Sequence, residues 1–425
     1  MHPLTEIIKN DMAVSLGVTE PGAIALAVSR ARSLVAGDIR SVVVEINSGI
    51  YKNAFTCGIP GTEETGNVFA AALGAVAGDY TKGLASLDGV RDGDIKMARR
   101  LLDSGKVSVR LREISSALYI KATVETETDS AAVTILGAHD NIAEVVKNGI
   151  VLEKKNPAAH EKNTVSVSGY TLADFWRYAG DISFEEIEFI QQAYDTNIKL
   201  MEAGLNSEFT DICKTLLADN GGVVISNDEL KTAHVMTAAA IEARVRGLKF
   251  PAMSITGSGN HGIICTMPLY ACARVRGLSR EILLRATALS YLTTMYIKEY
   301  SGKLSAFCGC AIAAGTGACV GRLFMMGGSL DQAGIVINNM ASGLTGVICT
   351  GGNPACVLKA GIAIDIGYKA IRMALRNTGV DPKHGIIGQN PEQTMRYIGR
   401  IADPGMVQTE KVIVEIFEEK LTNTI

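Results

Sequence analysis

The chain has 425 residues, of which 47% are hydrophobic, so it is long enough to bury the cores of two or three ordinary domains. Its 41 basic and 44 acidic side chains give a formal net charge of -3. A charge so close to balance provides no field that would gather nucleic acid or an anionic membrane. Composition therefore excludes a polyelectrolyte binder and favours an enzyme with a small-molecule substrate.

The N-terminal residues do not resemble a signal peptide, because MHPLTEIIKNDM has acidic side chains and no apolar stretch. We therefore expect a cytoplasmic protein. Its nine cysteines are then core thiols or metal ligands, because the cytosol keeps thiols reduced. The most apolar segment, residues 304–321, consists largely of Ala, Gly and Cys and is closed by Arg322. It predicts a buried helix and no membrane span.

The first part of the chain mixes helical and strand patterns. A helix is predicted at 19–34, a β-branched strand at 41–46, and further helices at 64–77 and 92–103. Strand-like runs follow at the end of this part, at 107–113, 118–125, 131–136 and 150–154. Residues 1–165 therefore read as an α/β domain.

The strand signal nearly vanishes after about residue 170, and long helical patterns dominate at 184–202, 228–246 and 280–299. We expect residues 166–425 to form a mainly α-helical domain. The predicted fold class is thus α+β, with an N-terminal α/β domain followed by a helical C-terminal domain.

Two of the nine cysteines flank a segment that predicts a turn. If Cys349 and Cys356 lay on one helix, their thiols would stand about 10 Å apart along its axis, too far to bind one cluster. The intervening Gly351, Gly352 and Pro354 indicate a turn, which can fold both thiols toward one point. A tight core of small residues gives a similar pattern, so spacing alone leaves the ligand role open.

A second pair of cysteines lies within the predicted helix at 304–321. Residues two apart on a helix point about 200° away from each other, so only one of Cys308 and Cys310 is expected to face a cluster. A cubane cluster held by three protein thiolates leaves one iron open to bind a further ligand.

Several blocks of the sequence together form a family signature. They are Gly17-Val18-Thr19-Glu20-Pro21, Gly137-Ala138-His139-Asp140-Asn141, Ser254-Ile255-Thr256-Gly257-Ser258-Gly259-Asn260-His261-Gly262, Leu304-Ser305-Ala306-Phe307-Cys308, Gly346-Val347-Ile348-Cys349 and Asn353-Pro354-Ala355-Cys356. In this order the blocks resemble the serine dehydratase alpha-chain family, and most of all its L-cysteine desulfidase branch. The resemblance implies a [4Fe-4S] cluster held by Cys308, Cys349 and Cys356, with a free iron that binds the substrate.

One position departs from the desulfidase pattern. Where the family has a cysteine between the glycine and threonine of the first block, this chain has Val18, which can neither bind iron nor move a proton. Cys57 stands where similar sequences have an aliphatic residue, so it is either a relocated catalytic thiol or a packing residue.

Other polar residues suit the recognition of an amino acid. Thr19 can cap a helix with Glu20 and Pro21 in its first turn, where free backbone N–H groups favour a carboxylate. Lys52 can neutralise a carboxylate or remain an exposed charge, and Asn53 follows it. Thr19, Glu20, Lys52 and Asn53 are therefore candidate substrate-binding residues. A helix cap alone explains Thr19 equally well.

The segment 257–262 formally matches G-x-G-x-x-G, but no βαβ unit surrounds it, so a nucleotide site is not expected. Glycines favour instead a backbone nest for a carboxylate, with Ser258, Gly259 and Asn260 as substrate-binding residues. His139 follows a predicted strand and is either a general base or a turn residue.

The function implied by the resemblance is the elimination of a β-substituent from a small amino acid, with L-cysteine giving pyruvate, ammonia and sulfide. Because Val18 stands in place of the family cysteine, serine, threonine or another β-substituted acid is an alternative substrate. A cluster-bearing sensor without catalysis is an alternative of a different functional class. A pyridoxal-phosphate lyase would need a Schiff-base lysine and a phosphate-binding loop, which the helical, cysteine-rich second half does not favour. The sequence leaves a homo-oligomer open.

Overall fold

The computed structural model describes residues 1–155, 166–302 and 304–423. A mixed sheet with helices on one face forms the first part of the chain, and helices form nearly all of the second part. This architecture confirms the predicted α+β fold class. The predicted domain boundary at residue 165 lies outside the described residues and stays a prediction.

A six-stranded sheet dominates the N-terminal part, in the order β3-β2-β4-β5-β6-β7. Only β2 and β3 run parallel, and the other neighbours are antiparallel. The strands are β2 (Ile39–Asn47), β3 (Val107–Glu113), β4 (Tyr119–Thr126), β5 (Ser130–Leu136), β6 (Ile142–Lys147) and β7 (Ile150–Lys154).

Alternating side chains make one face of this sheet apolar. Val42, Val44 and Ile46 of β2 are fully buried, as are Ile120, Ala122 and Val124 of β4. Such a period of two directs every second side chain to the same face. The helices of this part are α1 (Pro3–Asp11), α2 (Thr19–Arg32), α3 (Ser48–Ala54), α4 (Asn67–Ala77) and α5 (Asp92–Asp103), of which α2, α3 and α4 pack on the sheet.

The second part packs helices around one another. They are α6 (Leu172–Asp181), α7 (Phe184–Ile187), α8 (Gln191–Asn206), α9 (Ile212–Asp219), α10 (Glu229–Val245), α11 (Gly259–Arg276), α12 (Arg280–Ser301), α13 (Gly315–Met325), α14 (Leu330–Leu344), α15 (Ala355–Ala374), α16 (Pro391–Arg400) and α17 (Val407–Asn423).

A small sheet joins the start of the chain to the helical part. Strand β1 (Ala13–Leu16) pairs antiparallel with β8 (Pro251–Ser254), with Ala13 opposite Ser254. Because the strands are antiparallel, α2 follows the end where Leu16 is opposite Pro251, and α11 follows the end where Ala13 is opposite Ser254. The pairing therefore ties the segment before α2 to the segment before α11.

Two segments differ from the predicted helices. The helix predicted at 184–202 is interrupted by a 3-10 turn at Glu188–Ile190. The helix predicted at 304–321 begins late, with a π-helical turn at Cys310–Ala314 that continues into α13. Among the described residues, no helix combines the length and the apolar character needed to span a membrane.

Candidate functional site

A cavity opens where the starts of α2 and α11 meet the cysteine-bearing segments. It encloses about 80 Å³, several times the roughly 10–15 Å³ that one water molecule needs, so a small ligand can enter it. Its lining from the N-terminal part consists of Val18, Thr19, Glu20, Asn53 and His139. Its lining from the helical part includes Ser258, Asn260 and Cys308, Cys310, Cys349 and Cys356.

A short antiparallel ladder aligns two of these cysteines. Phe307 and Ile348 form a β-bridge, with the amide of Cys308 donating to the carbonyl of Val347 and that of Cys349 to Ala306, each at 2.8 Å. In this register Cys308 and Cys349 are diagonal neighbours on the same face, and such pairs have Cα atoms about 7–8 Å apart. The ladder therefore turns both thiols to the same side.

The turn between Cys349 and Cys356 packs against the N-terminal part. Gly351 has a φ of +87°, and a Cβ there would lie 2.3 Å from the carbonyl oxygen of Lys52, so only glycine fits. The next residue, Gly352, donates its amide to the carbonyl of Asn53 at 3.2 Å. This close approach lets the chain return Cys356, in the first turn of α15, to the cavity.

Both Cys308 and Cys310 line the cavity, contrary to the expectation that only one of them can. The expectation assumed a continuous helix through both residues. Cys308 instead lies at the end of the ladder, and the wider π-helical turn begins at Cys310. The change of backbone geometry between them removes the 200° separation that a helix would impose.

The thiols differ in their protonation. A hydrogen bond from the Cys310 thiol, helped by nearby backbone N–H groups, lowers the pKa of Cys308 to about 6 although burial opposes it. Burial raises the pKa of Cys356 to about 12. Because a thiolate is the form that binds metal, the lowered pKa of Cys308 favours a ligand role for this thiol.

Three cysteines of the cavity could hold a cubane cluster, in which each thiolate binds a different iron. Cys308 and Cys349 are diagonal neighbours across the β-bridge, and Cys356 lines the same cavity. Across the described ranges, no three His, Cys, Asp or Glu side chains form a group that could hold one metal ion.

Glu20 is a buried, ionised carboxylate on the opposite wall. Its Oε1 accepts a hydrogen bond from Asn53 Nδ2 at 2.8 Å and lies 3.7 Å from His139 Nε2. Burial alone would raise the pKa of Glu20, but His139, Asn53 and Arg244 outweigh it and lower the pKa to about 2. The Nε2 atom of His139 is itself buried and has no hydrogen bond within the described part of the chain.

The segment 257–262 is the start of a helix and not an isolated nest. Ser258 is the N-cap residue of α11, Gly259 and Asn260 form its first turn, and the amide of Gly262 makes the first bond along the helix, to Ser258 at 3.3 Å. The preceding N–H groups therefore have no partner within the helix. Ser258 and Asn260 line the cavity, whereas Gly259 packs under the side chain of Arg244.

Lys52 and Cys57 do not belong to the described lining of the cavity. The Nζ atom of Lys52 lies behind it, bonded to Glu410 Oε2 at 2.5 Å and to the carbonyl of Ser305 at 3.1 Å. Burial opposes its charge, but Cys349 and Glu410 raise the pKa of Lys52 above its ordinary value. Cys57 is fully buried, and burial raises the pKa of its thiol far above the ordinary value, so it stays protonated.

Three further lining residues carry chemistry that the sequence did not single out: Arg244, His261 and Lys298. His261 Nδ1 is 2.6 Å from the hydroxyl of Thr256, and burial holds the pKa of His261 well below its ordinary value. Burial also lowers the pKa of Lys298 to about 8. His261 lies in a quoted motif, but nothing in the local pattern marks Arg244 or Lys298 as buried.

Comparison with known proteins agrees with this arrangement. Residues 81–415 match the family described as serine dehydratase alpha chain. The chain belongs to the serine dehydratase alpha chain family.

Relatives of similar length occur in bacteria and archaea. A UPF0597 protein of Clostridium botulinum is 41% identical over 98% of both chains. Others are a UPF0597 protein of Caldanaerobacter subterraneus, 38% identical over 98% of both chains, and one of Methanocella arvoryzae, 34% identical over 97% of both. The family membership supports a serine dehydratase-like lyase.

Proposed function

We propose that this family member is a [4Fe-4S]-dependent lyase that eliminates the β-substituent of a small amino acid. Its proposed substrate is L-cysteine, which gives pyruvate, ammonia and sulfide. The observation that carries the proposal is the meeting of Cys308, Cys349 and Cys356 on one cavity with the charged groups of both walls. When bound, the cluster would supply a Lewis acid for the leaving group.

The protein's own residues would orient the substrate. The unpaired N–H groups at the start of α11, with Ser258 and Asn260, suit a carboxylate. Thr19 and Glu20 in the first turn of α2, with Asn53, form the facing wall. Lys52, held by Glu410 behind the cavity, would support the cysteine segments in place of direct substrate contact.

His139 is our candidate for the group that removes the α-proton. Its buried Nε2 lacks a hydrogen bond in the described residues and faces the ionised Glu20, which can stabilise the imidazolium that forms after proton transfer. Cys57, the other candidate, is less suited because its thiol is protonated and lies outside the described lining.

Iron and acid-labile sulfide analysis after anaerobic purification tests the cluster. We expect about four iron atoms per chain, and loss of most of this iron in Cys308→Ser, Cys349→Ser and Cys356→Ser. The matched control is Cys265→Ser, because Cys265 is a buried thiol bonded to Thr294 at 3.2 Å and not part of the cavity lining. Iron-free wild-type protein, or ligand variants that keep their iron, would contradict the proposal.

Val18 favours a second substrate class. It lines the cavity beside Gly352, so an apolar group occupies the place where the resemblance expects a thiol. L-Serine and L-threonine are therefore alternative substrates. We expect Val18→Cys to raise anaerobic sulfide release from L-cysteine by about a hundredfold, the lower end of a proton-transfer contribution.

Pyruvate formation from L-serine by the same two proteins is the control for that experiment. If wild type already releases sulfide as fast as Val18→Cys, the valine does not limit the reaction. An iron-loaded wild type that turns over neither amino acid would favour the sensor over the enzyme.

A further inference from the structure

Arg244 is a buried cation at the edge of the cavity. It lies near the end of α10 and is only 3% exposed. Its Nη1 donates to Asn260 Oδ1 at 3.1 Å. A Cβ on Gly259 would lie 2.3 Å from Arg244 Nε, so the guanidinium rests directly against the first residue of α11.

This position joins two positive groups. The start of α11 carries unpaired N–H groups and the positive end of the helix dipole, and Arg244 adds a full charge beside them. Within the described residues, Arg244 has no ion pair and its buried Nε has no hydrogen bond. Burying such a charge without a carboxylate at ion-pair distance is costly, so the site is suited to an anion that enters from the cavity.

A negative group stands on the facing wall. Glu20 uses Oε1 for both of its recorded contacts, with Asn53 and His139. No hydrogen bond to its Oε2 is seen among the described residues. Glu20 and Arg244 both line the cavity, and they do not form an ion pair with each other within 4.0 Å. The cavity therefore has a positive group in Arg244 and a negative group in Glu20.

We propose that Arg244 and the start of α11 bind the carboxylate of the ligand, while Glu20 binds its ammonium group. Both charged ends of the amino acid are then recognised by the protein, so carboxylic acids without an amino group or amines without a carboxylate bind weakly. This inference rests on the proposed function for the identity of the site, but it concerns recognition and not the elimination.

Calorimetric binding to the full chain, prepared anaerobically, tests the two groups separately. L-Alanine is the probe because it has both charged groups and no leaving group. Propionate lacks the ammonium group, and ethylamine lacks the carboxylate. We expect Arg244→Gln to weaken L-alanine and propionate at least about tenfold, as the loss of a charged hydrogen bond predicts, and to leave ethylamine unchanged.

Substitution of Glu20 should weaken binding of the amine and leave binding of the carboxylic acid unchanged. Glu20→Gln should weaken L-alanine and ethylamine by at least about tenfold and leave propionate unchanged. Arg244→Lys keeps the positive charge but not the planar guanidinium group. Its affinities for L-alanine and propionate should therefore lie between those of wild type and Arg244→Gln. Arg274→Gln is the matched control, because Arg274 lies on α11 and contacts the exposed side of Tyr270.

Two results would overturn the inference: wild type that does not bind L-alanine, or Arg244→Gln and Arg244→Lys that both bind propionate like wild type. If Arg244→Gln does not fold, Arg244→Lys and Glu20→Gln still decide the matter. Binding that follows the expected pattern in a protein that eliminates neither cysteine nor serine would uphold this inference and reject the proposed function.

Discussion

Two arginines are buried among the described residues of the helical part, and their surroundings differ in one respect. Arg322 is 5% exposed, its Nε donates to Glu229 Oε1 at 2.5 Å, and its guanidinium lies 3.7 Å from the centre of the Tyr368 ring. Arg244 is buried to the same degree but has no carboxylate partner within the described residues. Burial opposes the charge of both, yet Glu229 raises the pKa of Arg322 whereas the pKa of Arg244 is lowered.

The contrast separates a structural charge from a functional one. Glu229 also accepts a hydrogen bond from Arg276 Nε at 2.6 Å, so it links three helices through two arginines. That network gives both arginines a carboxylate partner without any ligand, although Arg322 Nη1 makes no hydrogen bond within the described residues. Arg244 has only the neutral amide of Asn260, which leaves its charge to be balanced from the cavity.

The largest expected effect is on stability, and it compares the two arginines directly. We expect Arg322→Gln to lower the free energy of unfolding by about 3–5 kcal/mol, because it leaves Glu229 with a broken buried ion pair. Arg244→Gln should cost less, about 1–3 kcal/mol in the absence of ligand, since it loses the hydrogen bond to Asn260 but strands no paired carboxylate. Urea unfolding of both variants measures this difference. Equal losses would show that Arg244 is as structural as Arg322.

A smaller effect should appear in acid. Burial alone would raise the pKa of Glu229, but Arg322 and Arg276 lower it from 4.5 to about 2. The unfolded chain therefore binds this proton first, so the stabilisation is present above about pH 4.5 and is lost as the pH falls toward 2. We expect Glu229→Gln to reduce the slope of stability against pH in this window by up to about 1.4 kcal/mol per pH unit.

Urea unfolding at several pH values provides that slope. Glu410→Gln is a useful comparison, because Glu410 is a buried carboxylate with a lysine partner outside this network. An unchanged slope in Glu229→Gln would mean that the Glu229 network does not set the acid sensitivity of the helical part.

Local patterns predicted most of the sheet and the long helices, but not the pairing of distant segments. Strand runs at 107–113 and 150–154 coincide with β3 and β7, because alternation of side chains is a local property. Strands β1 and β8 were not predicted. Each has only four residues, and each is a strand because of its partner, with Ala13 opposite Ser254.

The candidate site shows the same division. The sequence motifs identified Glu20, His139, Ser258 and the cysteines as candidate site residues, and the structure brings them to one cavity. Arg244 could not be recognised, because an arginine in the last turn of a helix usually complements the helix dipole in solvent. Its neighbour Arg246 occupies such an exposed position. Only the packing of α10 against the start of α11 distinguishes the two.

The residues that form and support the cavity come from distant parts of the sequence, and this constrains when the site can form during synthesis. Val18, which lines the cavity, and Lys52, which lies behind it, come from the beginning of the chain, whereas the β-bridge that carries Cys308 and Cys349 comes much later. Glu410 of α17, which binds Lys52, comes later still. A growing chain folds its N-terminal part first. The thiols can therefore acquire their final surroundings only after Glu410 has left the ribosome, which makes the insertion of any cofactor a late step that acts on a nearly finished fold.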